Sequence, residues 1–226
     1  MRGIILFEMR GDDIPAKVRR YVRKKVSMSR EDNLRRDISW FLATNKTIDR
    51  INFAVKGKYK VYPSAFKSDV SYAIKGERIR TTLGTVPRGG VAMYSNGGLL
   101  GDKIVLSPLF ALNDYRSQTV LIHECVHAHL DIQNIGRHSL YENEAVAYIA
   151  GGVYLEALKR KPSTKERFVW LAQAIAEKVL KGTYWVPDQD SDPLIKAIAR
   201  HPAYAGYPTT ESNGAWSYKH WFNPCK

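Results

Sequence analysis

The pair His123 and His127, which brackets Glu124-Cys125-Val126, constrains this chain more than any other feature. Four residues are about one helical turn, so a helix places both imidazoles on one face. Both can then reach one metal ion at about 2.0–2.1 Å, with Glu124 beside it. Apolar residues surround the motif, which predicts a buried helix over residues 117–130. The plain alternative is two core histidines with hydrogen-bonded partners.

A second helix, predicted over residues 141–161, offers the next ligand. A catalytic zinc site uses three protein ligands and keeps one position open. Glu142 and Glu144 begin this helix about 200° apart around its axis, so only one can face the metal. Small neighbours such as Ala145 and Ala147 allow close helix packing and favour Glu144. Glu142 stays open as the alternative.

This order of residues resembles the gluzincin group of zinc metallopeptidases. The resemblance is carried by His123-Glu124-x-x-His127, a loop, and Asn143-Glu144-Ala145, and it covers roughly residues 103–158. It implies a zincin-like fold, Zn²⁺ bound by His123, His127 and Glu144, and Glu124 as general base. It also implies a peptide or protein substrate. More specifically, the stretch resembles compact metallopeptidase domains of bacterial secreted and polymorphic toxins, which leaves room for an immunity or inhibitor protein as partner.

The resemblance carries two further expectations and one departure. It implies a substrate-binding edge strand before the motif helix, for which Lys103–Ser107 is placed. Thermolysin-like members have an acidic residue one turn after the ligand Glu, which orients a zinc-binding histidine. Tyr148 holds that position here. The orienting group is therefore expected from Asp131, Asn134 or a backbone carbonyl.

A donor to the developing oxyanion completes such a site. The candidates are Tyr141, Tyr148, His201, Tyr204, Tyr207 and His220. His201 and Tyr204 are favoured as a pair. His129, two residues after His127, is expected on another helix face, and Cys125 is expected to face the core.

The patterning predicts an α+β fold in which a small antiparallel sheet packs on the active-site helix and the C-terminal half is mainly helical. A single domain over 1–226 is expected, in four parts: 1–45 a basic helical front end, 46–112 the sheet, 113–181 the active-site helices, and 182–226 a short helix and aromatic tail. The helical signals extend over 4 stretches: 12–26, 29–44, 163–181 and from 191 onward. Strands are predicted at 4–7, 58–62, 78–82, 90–94 and 103–107.

The charge is concentrated at the front of the chain. Residues 1–60 contain 16 Lys/Arg and 7 Asp/Glu, which gives +9 of the total net charge of +13. The basic residues at 17–25 suggest an anionic partner, although a solvated face explains them as well. The competing hypotheses are therefore a nucleic-acid-binding regulator on a zincin-like scaffold and a non-catalytic structural zinc protein.

The cysteine count and the short apolar runs limit where the protein is expected to be located. Two cysteines, Cys125 and Cys225, are too few for a disulfide scaffold. The apolar run at residues 4–7 is too short for a signal peptide, and no run is long enough for a membrane span. These features predict a cytoplasmic protein or one exported by a specialised secretion system.

Overall fold

The computed structural model describes residues 29–86, 90–96, 101–134, 138–204 and 210–211. The predicted strand at 4–7, the predicted helix at 12–26 with its basic residues, Cys225 and most of the aromatic tail lie outside these ranges. The described part is α+β, as predicted, and it is mainly helical. None of its helices combines the length and the apolarity that crossing a lipid bilayer demands.

Six α-helices lie in the described ranges: α1 (Arg30–Thr44), α2 (Ser71–Lys75), α3 (Tyr115–Ile132), α4 (Leu140–Ala157), α5 (Arg167–Leu180) and α6 (Asp188–Ala199). The strands there are β1 (Phe53–Val55), β2 (Tyr59–Val61), β3 (Ile79–Leu83), β4 (Ala92–Ser95), β5 (Asp102–Leu106), β6 (His138–Ser139), β7 (Trp185–Val186) and β8 (Thr210–Glu211). Short 3₁₀ turns at Lys46–Arg50 and Pro202–Tyr204 and a π-helical turn at Ala65–Val70 complete the order.

Capping residues explain where two of the helices begin. The Ser29 hydroxyl accepts a hydrogen bond from the Asp32 N–H at 3.0 Å, as expected for an N-cap before α1. The Asp114 carboxylate accepts one from the Ser117 N–H at 2.9 Å, so α3 starts before the predicted Ser117.

Three helix boundaries differ from the prediction. Helix α4 ends at Ala157 rather than at the predicted Lys161, and Lys159 turns the chain in a left-handed conformation with a φ of 55°. Helix α5 starts at Arg167, after the predicted 163–166 start. Helix α6 begins at Asp188, before the predicted start at 191, and includes Pro193 as its sixth residue, where the missing N–H removes one hydrogen bond of the helix.

The predicted purely antiparallel sheet is wrong, because the strands form small mixed sheets. In the order β3-β5-β4, β5 pairs parallel with β3 and antiparallel with β4. In the order β2-β1-β7, β1 pairs antiparallel with β2 and parallel with β7. Strands β6 and β8 form a two-stranded antiparallel pair. Apolar alternation predicts that a strand exists, but the direction of its partner depends on the connections between strands.

The predicted edge strand Lys103–Ser107 corresponds to β5, and β5 is the central strand of its sheet. Pairing on both sides leaves it no free backbone edge for a peptide. Among the described residues, β4 is the edge strand next to α3. The Tyr94 N–H in β4 donates to a side chain of α3 and therefore points away from β5.

Helices α3, α4 and α5 form the packed layer that supports the site. Helix α4 is buried on nearly every side from Asn143 to Leu155. A Cβ at Gly151 would lie 3.4 Å from the Thr119 side chain of α3, and one at Gly152 would lie 3.2 Å from Ala172 O of α5. The two glycines therefore allow α4 to approach both neighbours closely.

Candidate metal centre

Three side chains from α3 and α4 converge in the core. His123, His127 and Glu144 offer ligand atoms that all lie within 4.8 Å of one another. The two histidine Nε2 atoms are 3.1 Å apart, and Glu144 oxygens lie 3.3 Å from Nε2 of His123 and 3.8 Å from that of His127. Ligands about 2.0–2.1 Å from a tetrahedral zinc stand roughly 3.3 Å from one another. The cluster is therefore compatible with a metal site.

The hydrogen bond of His127 fixes which of its nitrogens can bind a cation. Its Nδ1 lies 2.8 Å from Oδ1 of Asn143. An amide oxygen only accepts, so Nδ1 carries the proton and Nε2 keeps its lone pair. That lone pair belongs to the atom that faces His123 and Glu144. The group that orients His127 is thus Asn143, rather than the predicted Asp131, Asn134 or backbone carbonyl.

If the cluster binds zinc, replacing Asn143 by alanine is expected to weaken that binding by about 10–100-fold, the usual cost of removing a group that orients a ligand. The reason is that His127 loses the bond that holds its ring and its tautomer. Competition with a chromophoric chelator measures the affinity. Asn45→Ala is the matched control, since that amide donates to Tyr154 Oη on the far part of α4. Equal zinc affinity in Asn143→Ala and wild type would contradict the assignment.

The Glu144 carboxylate is held by a chain of two tyrosines. The Tyr204 hydroxyl donates to Glu144 Oε2 at 3.1 Å, and the hydroxyls of Tyr204 and Tyr148 lie 2.7 Å apart. Burial, followed by the charge of Glu144, raises the pKa of both tyrosines well above 10. Both therefore remain neutral donors at any ordinary pH. The Tyr148 ring also packs edge-on against His123, with centroids 4.7 Å apart.

Tyr94 ties strand β4 to α3 at two points. Its backbone N–H donates to Glu124 Oε2 at 2.7 Å, and its hydroxyl donates to Asp131 Oδ2 at 2.8 Å. Asn96 donates to the same Asp131 oxygen at 3.1 Å. The strand edge is thereby fixed against the helix that carries the two histidines. Nothing in the sequence spacing indicated that Tyr94 would contact Glu124.

Other predicted candidates lie elsewhere. Glu142 accepts from Tyr59 Oη at 2.8 Å and pairs with Lys58, so it turns away from the cluster. His201 pairs with Glu166 at 3.1 Å. Only Tyr204 of the favoured oxyanion pair reaches the cluster directly.

His129 and Cys125 occupy the core, away from the cluster, and the candidates Tyr207 and His220 lie outside the described residues. His129 faces Asp69 and the Lys60 carbonyl, and burial lowers its pKa. The Cys125 thiol is buried in the core, as expected, and burial raises its pKa.

Among the described residues, the cluster is enclosed and has three members. His123, Glu124, His127 and Glu144 are each at most 1% exposed. Within the described ranges, no fourth histidine, cysteine or carboxylate joins the group. Two imidazole nitrogens and one carboxylate oxygen form a donor set that suits divalent transition metals, zinc and iron(II) among them.

Comparisons of the chain with protein-family models, curated proteins and solved structures return no match.

Proposed function

We propose that the protein is a zinc-dependent peptidase with His123, His127 and Glu144 as the ligands. The observation that carries the proposal is the convergence of these three ligand atoms within 4.8 Å. The Glu124 carboxylate lies on the helix that carries the two histidines. A structural zinc site closes with four protein ligands, and a catalytic one keeps a position for water or substrate. The Glu124 carboxylate, next to His123 on the same helix, favours the catalytic alternative, because a structural site needs no general base.

In this proposal, Glu124 takes and delivers the proton. Zinc, when bound, polarises the scissile carbonyl and lowers the pKa of a water molecule. Glu124 accepts a proton as general base and passes it to the leaving amine. The Tyr94 N–H holds one oxygen of the carboxylate at 2.7 Å, which fixes its direction. A buried setting strengthens these interactions, because few water dipoles screen them.

Strand β4 is the proposed place for an extended substrate. No other described strand pairs with its outer edge, where the Tyr94 N–H bonds Glu124. A peptide beside this edge would run next to the carboxylate and take backbone hydrogen bonds from the other residues of β4. This proposal replaces the one for Lys103–Ser107. The effector-toxin role and the inhibitor partner stay predictions from the resemblance, as does nucleic-acid binding by residues 17–25, which lie outside the described ranges.

Removal and return of the metal test the proposal. Protein stripped with a chelator is expected to cleave a quenched-fluorescent peptide library at least about 100-fold more slowly, since both polarisation and water activation are lost. One equivalent of zinc is expected to restore the rate, and magnesium is not, because it prefers six oxygen ligands. Elemental analysis verifies the metal content. Full activity in metal-free protein would contradict the proposal.

A further inference from the structure

A cavity lies between the start of α5 and one face of α6. Its volume is about 570 Å³, in the range of small-molecule sites. Phe168, Pro193, Ala197 and Pro202 form an apolar part of its lining. The cavity is separate from the metal cluster, because none of the cluster's side chains lines it.

Three cationic side chains line this cavity without an acidic partner. They are Arg167 at the first residue of α5 and Lys196 and Arg200 on α6. None of the three forms an ion pair with a described residue. Lys196 and Arg200 are four residues apart on one helix face, a spacing at which like charges repel. We call the cavity that these three side chains line the cationic cavity.

The acidic residues of the lining are already engaged. The Glu166 carboxylate lies 3.1 Å from His201 Nε2. The Asp192 carboxylate accepts from the Lys56 ammonium, which also pairs with Asp188. Three cations and two carboxylates give the lining a net charge of +1, and these pairings leave the three cations without a carboxylate partner. An anionic ligand would pair with them.

The backbone at the start of α5 adds to the positive electrostatic potential of the cationic cavity. Glu166 is the N-cap of this 14-residue helix, and its side chain makes no capping hydrogen bond. The N–H groups of a first helical turn have no acceptor within the helix and carry the positive end of its dipole. Arg167 and Phe168 of that turn line the cavity. Anions are stabilised at such a place.

We propose that the cationic cavity binds a phosphate-bearing small molecule. Three cations suit a ligand with two or more negative charges in a compact group, and guanidinium groups bind phosphate oxygens in pairs. A lone carboxylate offers one charge, and the cavity volume suits a molecule rather than a polymer. The apolar lining at Phe168 and Pro202 would contact an organic part of the ligand. This site goes beyond the proposed hydrolysis and does not depend on it.

Isothermal titration of the full chain with pyrophosphate, ADP and citrate tests the site. Arg200→Gln and Lys196→Gln are each expected to weaken pyrophosphate binding about tenfold or more, as for loss of a charge-assisted contact. Lys181→Gln is the matched control, an equal charge loss at the opposite end of α5, and is expected to bind like wild type. Thermal unfolding verifies that each variant folds.

Comparison of the three ligands and the three variants distinguishes the possible results. Tighter binding of ADP than of pyrophosphate identifies a nucleotide-like ligand, and the reverse identifies an inorganic one; both support the site. Citrate binding as tight as pyrophosphate overturns the phosphate class. No measurable binding at millimolar ligand, or an equal loss in Lys181→Gln, overturns the site itself.

Discussion

Replacing Glu124 by glutamine is expected to lower peptide hydrolysis by about 10²–10⁴-fold, the usual contribution of a general base. Glutamine has nearly the same shape, and its amide oxygen can still accept from the Tyr94 N–H that now bonds Glu124 at 2.7 Å. It cannot accept a proton at neutral pH. The variant should therefore keep one zinc per chain, measured by elemental analysis, and lose turnover of a quenched-fluorescent peptide.

Glu142→Gln is the control for this variant. Glu142 is the other carboxylate considered at the start of α4, and it bonds Tyr59 and Lys58 instead of the cluster. The two substitutions are chemically identical, so the same change in net charge accompanies both. Glu142→Gln is expected to hydrolyse peptide like wild type. Wild-type turnover in Glu124→Gln would remove Glu124 from the mechanism.

Replacing His127 by alanine is expected to eliminate stoichiometric zinc. The variant loses one of three ligands, and Asn143 loses the imidazole that it orients. Two remaining ligands leave an open, weakly held cation, so zinc per chain should fall from one to about 0.1 or less after dialysis. Hydrolysis should fall with it, because the metal supplies the polarisation.

His129→Gln separates loss of the ligand from loss of a buried histidine. His129 lies two residues further on α3, is buried, and faces Asp69 and the Lys60 carbonyl. Its replacement is expected to lower the melting temperature and to leave the zinc content at one per chain. Equal zinc in His127→Ala and wild type would show that the metal, if any, binds elsewhere.

Spacing alone predicted the parts of the site that lie on one helix. His123 and His127 are about one turn apart, so they share a face wherever the helix begins and ends. The prediction of small neighbours beside Glu144 also held, since Ala145 and Ala147 are fully buried where α4 packs. Asn143 could have been found by the same reasoning, because the residue before a ligand is only about 100° around the helix.

Contacts between distant residues were beyond such reasoning. Tyr204 reaches Glu144 across 60 positions, and Tyr94 reaches Glu124 across 30. Strand directions were missed for the same reason, since β3 pairs parallel with β5 although each strand reads alike in isolation. The π-helical turn at Ala65–Val70 and α2 fell in a stretch predicted as sheet, where apolar residues serve either structure.

The bond from Tyr204 to Glu144 has a consequence for the order of assembly. During synthesis from the N-terminus, both histidines leave the ribosome well before Tyr204, the last described contributor to the cluster. A nascent chain therefore lacks the hydrogen bond that holds Glu144 until the turn after α6 has docked. If the cluster binds the proposed cation, metal uptake and closure of the fold should be coupled, and the free energy of metal binding would stabilise the finished chain.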